Sequence, residues 1–449
     1  MERFLFKKIE VWIVGLLAVL VVIGVVVFGM LVRNRALGHD KFGLAGEFAF
    51  NVASIPATAQ ELLEGKDGML AFDGDSRFAG LSGWTVHDPA KLEGDDGYIL
   101  ISRFDGDLRR YVAELIKLQS GERVHRWTPD AETVFAGIPL DDSYDFDKIR
   151  NDKFRIIHPL LFANGDLLLK DHDTPMARVD WCGNKVWATT QTFHHSSEEG
   201  PDQTLWVSGL NRPSVIKFRE RKTHDDALVE LSPDGQILAS ISVAKILLDN
   251  GYEYLVAGMT FESDQDPLHL NDIEPVLEDG AYWKKGDLFV SIRHKSAVFQ
   301  YRPSTGKVLW LRTGPWIFQH DVDVIGDGKI AVFSNNMNPL ALEPSEGRVN
   351  RIIAYDFATD TMSDIQKDAL EAADVRTVSE GLFTLLPKGH VMVEEENFGR
   401  LLVFTQNGDM AAEFVNGASD GLVYRMGWSR YISKDLGEQV LANSSGKSC

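Results

Sequence analysis

Cysteine is almost missing: Cys182 and Cys449 are the only two in 449 residues. A disulfide framework of the kind that staples small secreted domains is therefore excluded, as is any cysteine-based zinc motif. Two cysteines alone do not fix a redox compartment. An excess of positive charge is also missing. Lys and Arg number 46 against 66 Asp and Glu, a net charge of −20 spread along the chain. Nucleic acid, which needs a basic surface, is excluded as a partner. An anionic substrate would need a local cationic site working against the global field. Long apolar runs are missing with one exception. Residues 11–32 carry no charge and are almost wholly Val, Leu, Ile and Gly. About 20 such residues cross a bilayer as a helix, and a signal peptide has a shorter apolar core and a small-residue cleavage site. No Ala-x-Ala site precedes Arg33, so the run reads as a retained anchor. Arg3, Lys7 and Lys8 precede it and Arg33, Arg35 and Lys41 follow it. Nearly balanced flanks give no orientation.

Long amphipathic helical patterns are scarce after residue 80. Short apolar and β-branched runs alternate with Gly/Asp/Asn turns, as in an all-β chain. One turn recurs six times: Ser120-Gly121-Glu122, Cys182-Gly183-Asn184, Pro233-Asp234-Gly235, Ser304-Thr305-Gly306, Ala358-Thr359-Asp360 and Gln406-Asn407-Gly408. Gly, Asn and Asp suit the positive φ of tight hairpins. A second turn precedes another strand, as at Asp96-Gly97, Gly286-Asp287 and Lys388-Gly389. Two landmarks per repeat imply about four strands per repeat, the signature of propeller blades. The expectation is an all-β, six-bladed β-propeller behind a single N-terminal transmembrane helix. Its blades begin near residues 84, 155, 192, 265, 317 and 377, and residues 420–449 close or cover the ring. The divisions are a tail at 1–10, the anchor at 11–32, a connector at 33–80 with a short helix at 57–63, the propeller at 81–435 and a tail at 436–449. Two β-sandwiches would not explain a six-fold recurrence.

His158, His195, His269 and His320 each start an apolar stretch at a matching place in this pattern. A ring of equivalent repeats would turn equivalent positions toward one axis and gather the imidazoles. A lone histidine in a repeat more often packs or bonds a carbonyl of the next blade, so their neighbours matter. His194 and His195 are a doublet. In His269-Leu270-Asn271, strand alternation puts His269 and Asn271 on one face. Ser291-Ile292-Arg293-His294 follows in the same blade, and Gln319-His320-Asp321 opens the next. Arg293 offers forked donors that fit sulfate, phosphate or carboxylate oxygens, against the ordinary alternative of a salt bridge. Glu394-Glu395-Glu396 and Glu198-Glu199 read as solvated loop segments, and Arg219-Glu220-Arg221-Lys222 as a surface hairpin.

At these residues the chain resembles the arylsulfotransferase family, periplasmic bacterial enzymes that move sulfuryl groups without a nucleotide donor. The stretches are Phe193-His194-His195, His269-Leu270-Asn271, Ser291-Ile292-Arg293-His294, Thr305-Gly306-Lys307-Val308-Leu309-Trp310 and Phe318-Gln319-His320-Asp321 continuing to Phe333-Ser334-Asn335-Asn336. They span roughly residues 150 to 430. The resemblance implies a six-bladed propeller with its site in the central channel. It implies that His320 is transiently sulfated, that His195, His269 and Arg293 serve catalysis, and that Asn271, His194 and Ser379 bind substrate. His158 has the position but not the motif and stays structural. The implied location is the bacterial inner membrane, with the propeller on the periplasmic side. The better-known members carry an N-terminal β-domain that assists dimerisation, and the connector at 33–80 is too short for one. Homo-oligomer or membrane-protein partner both stay open.

The chemistry so implied is ping-pong transfer from an aryl sulfate ester to a phenolic or other hydroxyl acceptor, with neutral imidazole as nucleophile. It needs no cofactor, nucleotide or metal. The alternative is a non-catalytic, membrane-anchored propeller that binds a protein or glycan. Several imidazoles around one axis could also hold Zn or Cu, a reading that Arg293 in the same ring disfavours.

Overall fold

The computed structural model describes residues 10–36, 41–64, 77–139, 146–216, 223–258, 266–326, 328–337, 348–447 and 449. The stretch from Arg219 to Lys222 lies outside them. The chain divides into two compact units, one made of residues 1–67 with 217–223, the other of residues 68–216 with 224–449. In the first unit the apolar run is a helix, Val11–Ala36, long and apolar enough to cross a membrane. A second helix, Gly43–Glu64, follows it and takes in the short helix expected at 57–63.

The second unit is a propeller of six antiparallel sheets. Blade 1 holds strands Tyr98–Asp105, Arg110–Lys117 and Arg123–Trp127, and blade 2 holds Leu160–Leu161, Leu167–Leu169, Ala177–Val179 and Lys185–Ala188. Blade 3 holds Phe193–Glu199, Leu205–Leu210, Asp226–Leu231 and Ile237–Ser242. Blade 4 holds Leu270–Pro275, Leu288–Ile292, Ala297–Arg302 and Lys307–Thr313. Blade 5 holds Val322–Gly326, Lys329–Ser334, Arg351–Asp356 and Thr361–Ile365. Blade 6 holds Leu382–Leu385, Val391–Glu395, Arg400–Phe404 and Met410–Val415. The six turns read from sequence are the hairpins before the fourth strand of each blade, counted from the channel. Gly121, Gly183, Gly235, Gly306, Asp360 and Gly408 carry φ of 68, 82, 78, 67, 52 and 88°.

Both ends of the ring are interleaved. Blade 1 receives its innermost strand, Arg430–Ile432, from near the C-terminus, paired Tyr98 to Ile432. The strand Gly83–Val86 does not start blade 1, as the repeat pattern suggested. It is the fifth, outermost strand of blade 6, paired Gly83 to Val415. There it covers an edge that would otherwise present unpaired amides, and Trp84 packs against the cluster between blades 6 and 1. Lys434–Ser444 is a helix with Val440 buried, capped by the Ser433 hydroxyl, which accepts from the Leu436 amide at 3.3 Å. Beyond it Cys449 is disulfide-bonded to Cys182 in blade 2, 267 residues away.

Apolar clusters fill the spaces between blades. Leu228 of blade 3 meets Leu270 and Leu288 of blade 4, Phe289 meets Ile330 and Ile353 of blade 5, and Phe333 meets Phe383 and Leu402 of blade 6. Each fully buried side chain of this size contributes on the order of 1.5–3 kcal/mol. Such contact is non-directional and leaves the register between blades to polar groups. Asp226 of blade 3 accepts the Leu270 amide at 2.9 Å. Asp272 accepts the Val322 amide at 2.9 Å, and Asp321 accepts the Phe383 amide at 3.0 Å. Glu394 closes the ring by accepting the amides of Trp428 and Ser429, both at 2.8 Å. The Glu394–Glu396 stretch is therefore no solvated loop: all three side chains are buried. Glu395 pairs with Arg400 and Arg77, and Glu396 with Arg155.

Burial pushes these staple carboxyls up. Asp272, also repelled by Glu198, reaches about 7, and Glu394 reaches about 7. A folded pKa above the unfolded value near 4 means that the native state holds protons that the unfolded chain has released. Their stabilisation is complete below the unfolded value and is lost as pH rises through about 7. The unfolding temperature is therefore expected to fall by several degrees between pH 5 and pH 8. Calorimetry of wild type beside Asp272→Asn checks this, since the amide cannot titrate and its curve should be flatter. Equal slopes for the two proteins would reject the account.

Candidate active site

Each blade's innermost strand has a residue held in the left-handed region near or shortly before its start. These residues are Trp428 (φ 62°), His158 (45°), His195 (43°), His269 (59°), Phe318 (51°) and Glu380 (55°), one for each blade. A non-glycine residue there costs on the order of 1–3 kcal/mol and persists only where its surroundings enforce it. Lys170 is one enforcer. It is fully buried, its ammonium donates to the His195 carbonyl, and burial pulls its pKa down to about 7.

The rings that follow converge. The His195 ring centroid lies 4.3 Å from that of His172, 4.9 Å from His269, 6.1 Å from His320 and 6.3 Å from Trp428. They border a cavity of about 360 Å³ lined by His172, Asp173, His194, His195, His224, Asp226, Asp266, His269, Leu270, Arg293, His320, Ser379 and Glu380.

His320 is almost wholly buried. Asn335 fixes its tautomer. The Asn335 amide nitrogen donates to the carbonyls of Thr377 (3.1 Å) and Glu380 (2.8 Å), which turns its oxygen toward His320 Nδ1 at 2.6 Å. Nδ1 must then carry the proton. Nε2 holds the lone pair and accepts the Glu380 backbone amide at 2.9 Å. Burial, reinforced by the Arg293 charge, holds the imidazolium form well below its ordinary range, so the ring is neutral.

A parallel argument assigns His195. His194 Nε2 donates to the Gly209 carbonyl at 3.2 Å, which leaves its Nδ1 to accept from His195 Nδ1 at 2.9 Å. His195 therefore carries its lone pair on Nε2. Burial lowers both rings, His194 to about 3 and His195 well below the ordinary value. His269 is oriented by a carboxylate: its Nδ1 bonds the Asp266 side chain. Burial raises the Asp266 carboxyl, but the His269 ring outweighs that and holds it below the usual range. His294 stacks on His269 with centroids 4.4 Å apart, and Arg293 lies 4.8 Å over the Phe318 ring.

The far wall is built on Glu380. Its carboxylate takes His172 Nε2 at 2.6 Å and Arg155 at 2.6 Å. Arg155 also binds Glu396 at 2.6 Å. Burial acts to raise Glu380, yet Arg155 and His172 hold it ionised, while burial and the Glu380 charge push Glu396 up.

Among the residues predicted from sequence, His194, His195, His269, Arg293, His320 and Ser379 all border the cavity. Asn271 does not. It is fully buried, and its amide donates to the Gln319 carbonyl at 2.9 Å, one residue before His320. His158 also stands outside. Its Nδ1 accepts the Ser197 amide at 3.3 Å, and its ring packs 5.0 Å from Trp428. The sequence reading missed His172, His224, Asp173, Asp226, Asp266 and Glu380. Only Glu380 had a usable signal, one residue past Ser379 in the matching lead-in position of blade 6.

Asp266, His269 and His294 present donor atoms within 4.8 Å of one another, spacing compatible with a metal ion. The bonding speaks against it. His294 Nδ1 donates to the Asp266 carbonyl at 2.7 Å, and its Nε2 faces the Arg293 guanidinium at 3.1 Å. A cation there would displace one of these bonds and sit against a fixed positive charge.

Residues 158–417 match the family model described as arylsulfotransferase (ASST). No curated protein sequence matches the chain. Among solved structures, the chain is similar to a protein of unknown function from Bacteroides caccae, with a TM-score of 0.46 and 10% identity over 75% of this chain and 99% of that one. It is also similar to virginiamycin B lyase from Staphylococcus aureus, with a TM-score of 0.38 and 12% identity over 76% and 86%. A third is the Kuenenia stuttgartiensis hydrazine synthase, with a TM-score of 0.41 and 11% identity over 70% and 74%. None of these likenesses carries a functional argument.

The tautomer of His320 is directly measurable. Long-range imidazole ¹⁵N spectra at pH 6 should show one ring in the neutral form, protonated on Nδ1, where a solvated histidine with pKa near 6.5 is mostly charged. Replacing Asn335 with Leu should scramble that signal. A His320 that titrates like a free imidazole would overturn the assignment.

Proposed function

The chain belongs to the arylsulfotransferase family, and we propose that it transfers a sulfuryl group from an aryl sulfate ester to a phenolic or other hydroxyl acceptor through a sulfated His320. The single observation that carries the reading is the buried, neutral His320 ring, whose Nε2 lone pair stands at a cavity that also holds Arg293.

In the first half-reaction the Nε2 lone pair attacks sulfur and the ester S–O bond breaks. The Glu380 amide, which covers that lone pair at 2.9 Å, must give way as sulfur arrives. Arg293 supplies fixed positive charge to the sulfuryl oxygens and the departing phenolate. The phenolate leaves and takes its proton from solvent. In the second half the acceptor hydroxyl attacks sulfur, loses its proton and breaks the N–S bond. His269 is suited to accept that proton. Asp266 holds its Nδ1, as a carboxylate orients the base in other acid–base pairs. His195 borders the same space, and His194 sets its tautomer. Ser379 lines the substrate wall, and Asn271 acts by seating Gln319 beside His320. None of these steps needs a metal or nucleotide.

We place the protein in the bacterial inner membrane as a single-pass protein with its propeller in the periplasm. The Val11–Ala36 helix supports the anchor, and the Cys182–Cys449 disulfide supports an oxidising compartment. The partners are then small molecules, a donor and an acceptor, with a second copy or another membrane protein as further possibilities.

Purified full-length protein incubated with 4-nitrophenyl sulfate and phenol should release nitrophenol at a rate that depends on the acceptor. His320→Asn should abolish that release together with the sulfo-adduct on the His320 peptide. Arg293→Lys keeps the charge but loses the fork and should lower kcat about 10²–10³-fold. Wild type that turns over no aryl sulfate and forms no adduct would refute the proposal.

A further inference from the structure

The helix Gly43–Glu64 has two opposed faces. On one, Gly46 is buried and Ala49 is 2% exposed. These small residues let the helix pack against Val11–Ala36. A Cβ added at Gly46 would lie 4.0 Å from the Leu31 carbonyl oxygen, so the two backbones run close. At about 100° per residue, Leu44, Phe48, Val52 and Ile55 fall on the other side. They are 84, 71, 38 and 59% exposed. Glu47 and Asn51 edge this apolar stripe, and no Lys or Arg occurs between residues 43 and 64.

Four large apolar side chains in one stripe on a helix with so little charge are costly in water. Each fully exposed Leu, Ile or Phe forgoes the benefit of burial, and patches of this kind mark a surface meant to be covered. What covers it is set by the neighbouring helix. The uncharged run of residues 11–32 is about 33 Å long as helix, close to the ~30 Å of a bilayer's hydrocarbon core. Leu31 is its penultimate residue, so the contact with Gly46 sits where hydrocarbon gives way to headgroups. Only residues 37–42 separate the two helices. The second helix therefore starts at that boundary and has no room to leave it before its apolar stripe begins.

We propose that Gly43–Glu64 is a membrane-interface helix. It packs on the spanning helix through Gly46 and Ala49 and lays Leu44, Phe48, Val52 and Ile55 among the acyl chains. With no basic residue in this helix, it is held by apolar insertion rather than by headgroup charge. Its depth is then indifferent to salt and to anionic lipid. The inference rests on the anchor reading of Val11–Ala36 and is independent of the sulfuryl chemistry.

The test uses the full chain in phosphatidylcholine nanodiscs. Both native cysteines are in a disulfide, so a maleimide nitroxide reacts only at an introduced thiol. Labels go singly at Leu44→Cys, Phe48→Cys, Ile55→Cys, Glu47→Cys and, in the spanning helix, Val21→Cys. Power saturation compares access by oxygen, which concentrates in lipid, with access by a water-soluble nickel chelate. Labels at 44, 48 and 55 should favour oxygen, less than 21 but more than 47, unchanged by added salt or phosphatidylglycerol. Nickel access at 44, 48 and 55 with oxygen access at 21 would overturn the interface helix and leave the anchor standing. Nickel access at 21 would overturn the anchor and, with it, this inference. Labels at 44, 48 and 55 shielded from both reagents would also overturn it, in favour of a protein that covers the stripe.

Discussion

Neighbouring sheets of a propeller share no backbone ladder, so something other than strand pairing must hold one blade's first strand level with the next. Here that is a carboxyl reaching across to a backbone amide: Asp226 to Leu270, Asp272 to Val322, Asp321 to Phe383, and Glu394 to Trp428 and Ser429. The apolar clusters keep the blades together but would tolerate sliding. The staples do not, because a slip leaves a buried amide and a buried carboxyl both unmet, a loss of about 1–3 kcal/mol for each group. His269 and His320 stand immediately beside the stapled residues Leu270 and Asp321, so their separation inherits this register. Asp272 and Glu394 do this with a proton retained near neutral pH, which suits a channel where several acids face one another.

The same burial that raises the acids lowers the imidazoles. For His320 and His195 desolvation leads, and at His320 the Arg293 charge adds to it. A ring of histidines in an open groove would be partly charged and would repel itself. In this channel burial keeps His195 and His320 neutral, and each is given a defined tautomer, His320 by the Asn335 amide and His195 by His194, whose own ring is fixed by the Gly209 carbonyl. The left-handed backbones at His195, His269 and Glu380 store strain where the rings converge. The buried ammonium of Lys170 and the staples offset it elsewhere.

The repeat was legible because hairpin turns need particular residues: a positive φ at positions such as Gly183 or Gly408 advertises itself locally. The lead-in histidines were legible because they recur at one place in that repeat. What escaped were residues whose meaning comes from partners far away along the chain. Glu396 looks like one more surface acid until Arg155, 241 residues distant, is beside it. Glu380 and Trp428 hold the same lead-in position as the histidines but are not histidines, so a search for imidazoles passes over them. Strand alternation put Asn271 on one face with His269, yet it could not say that Asn271 would bond the Gln319 carbonyl rather than border the cavity. The strand Gly83–Val86 was visible as a strand, but nothing local assigns it to the last blade.

The interleaved ends carry a kinetic consequence. Blade 1 is translated early, yet its innermost strand, Arg430–Ile432, is made more than three hundred residues after Tyr98. Until then the Tyr98–Asp105 backbone is a bare sheet edge, an aggregation hazard for any chain that emerges N-terminus first. The ring cannot mature blade by blade in order of synthesis. It waits for the Arg430–Ile432 strand and closes in one non-local step, which places it among slow folders. Cys449 lies beyond the Arg430–Ile432 strand, so its bond to Cys182 forms only on a chain that already carries every strand of the ring.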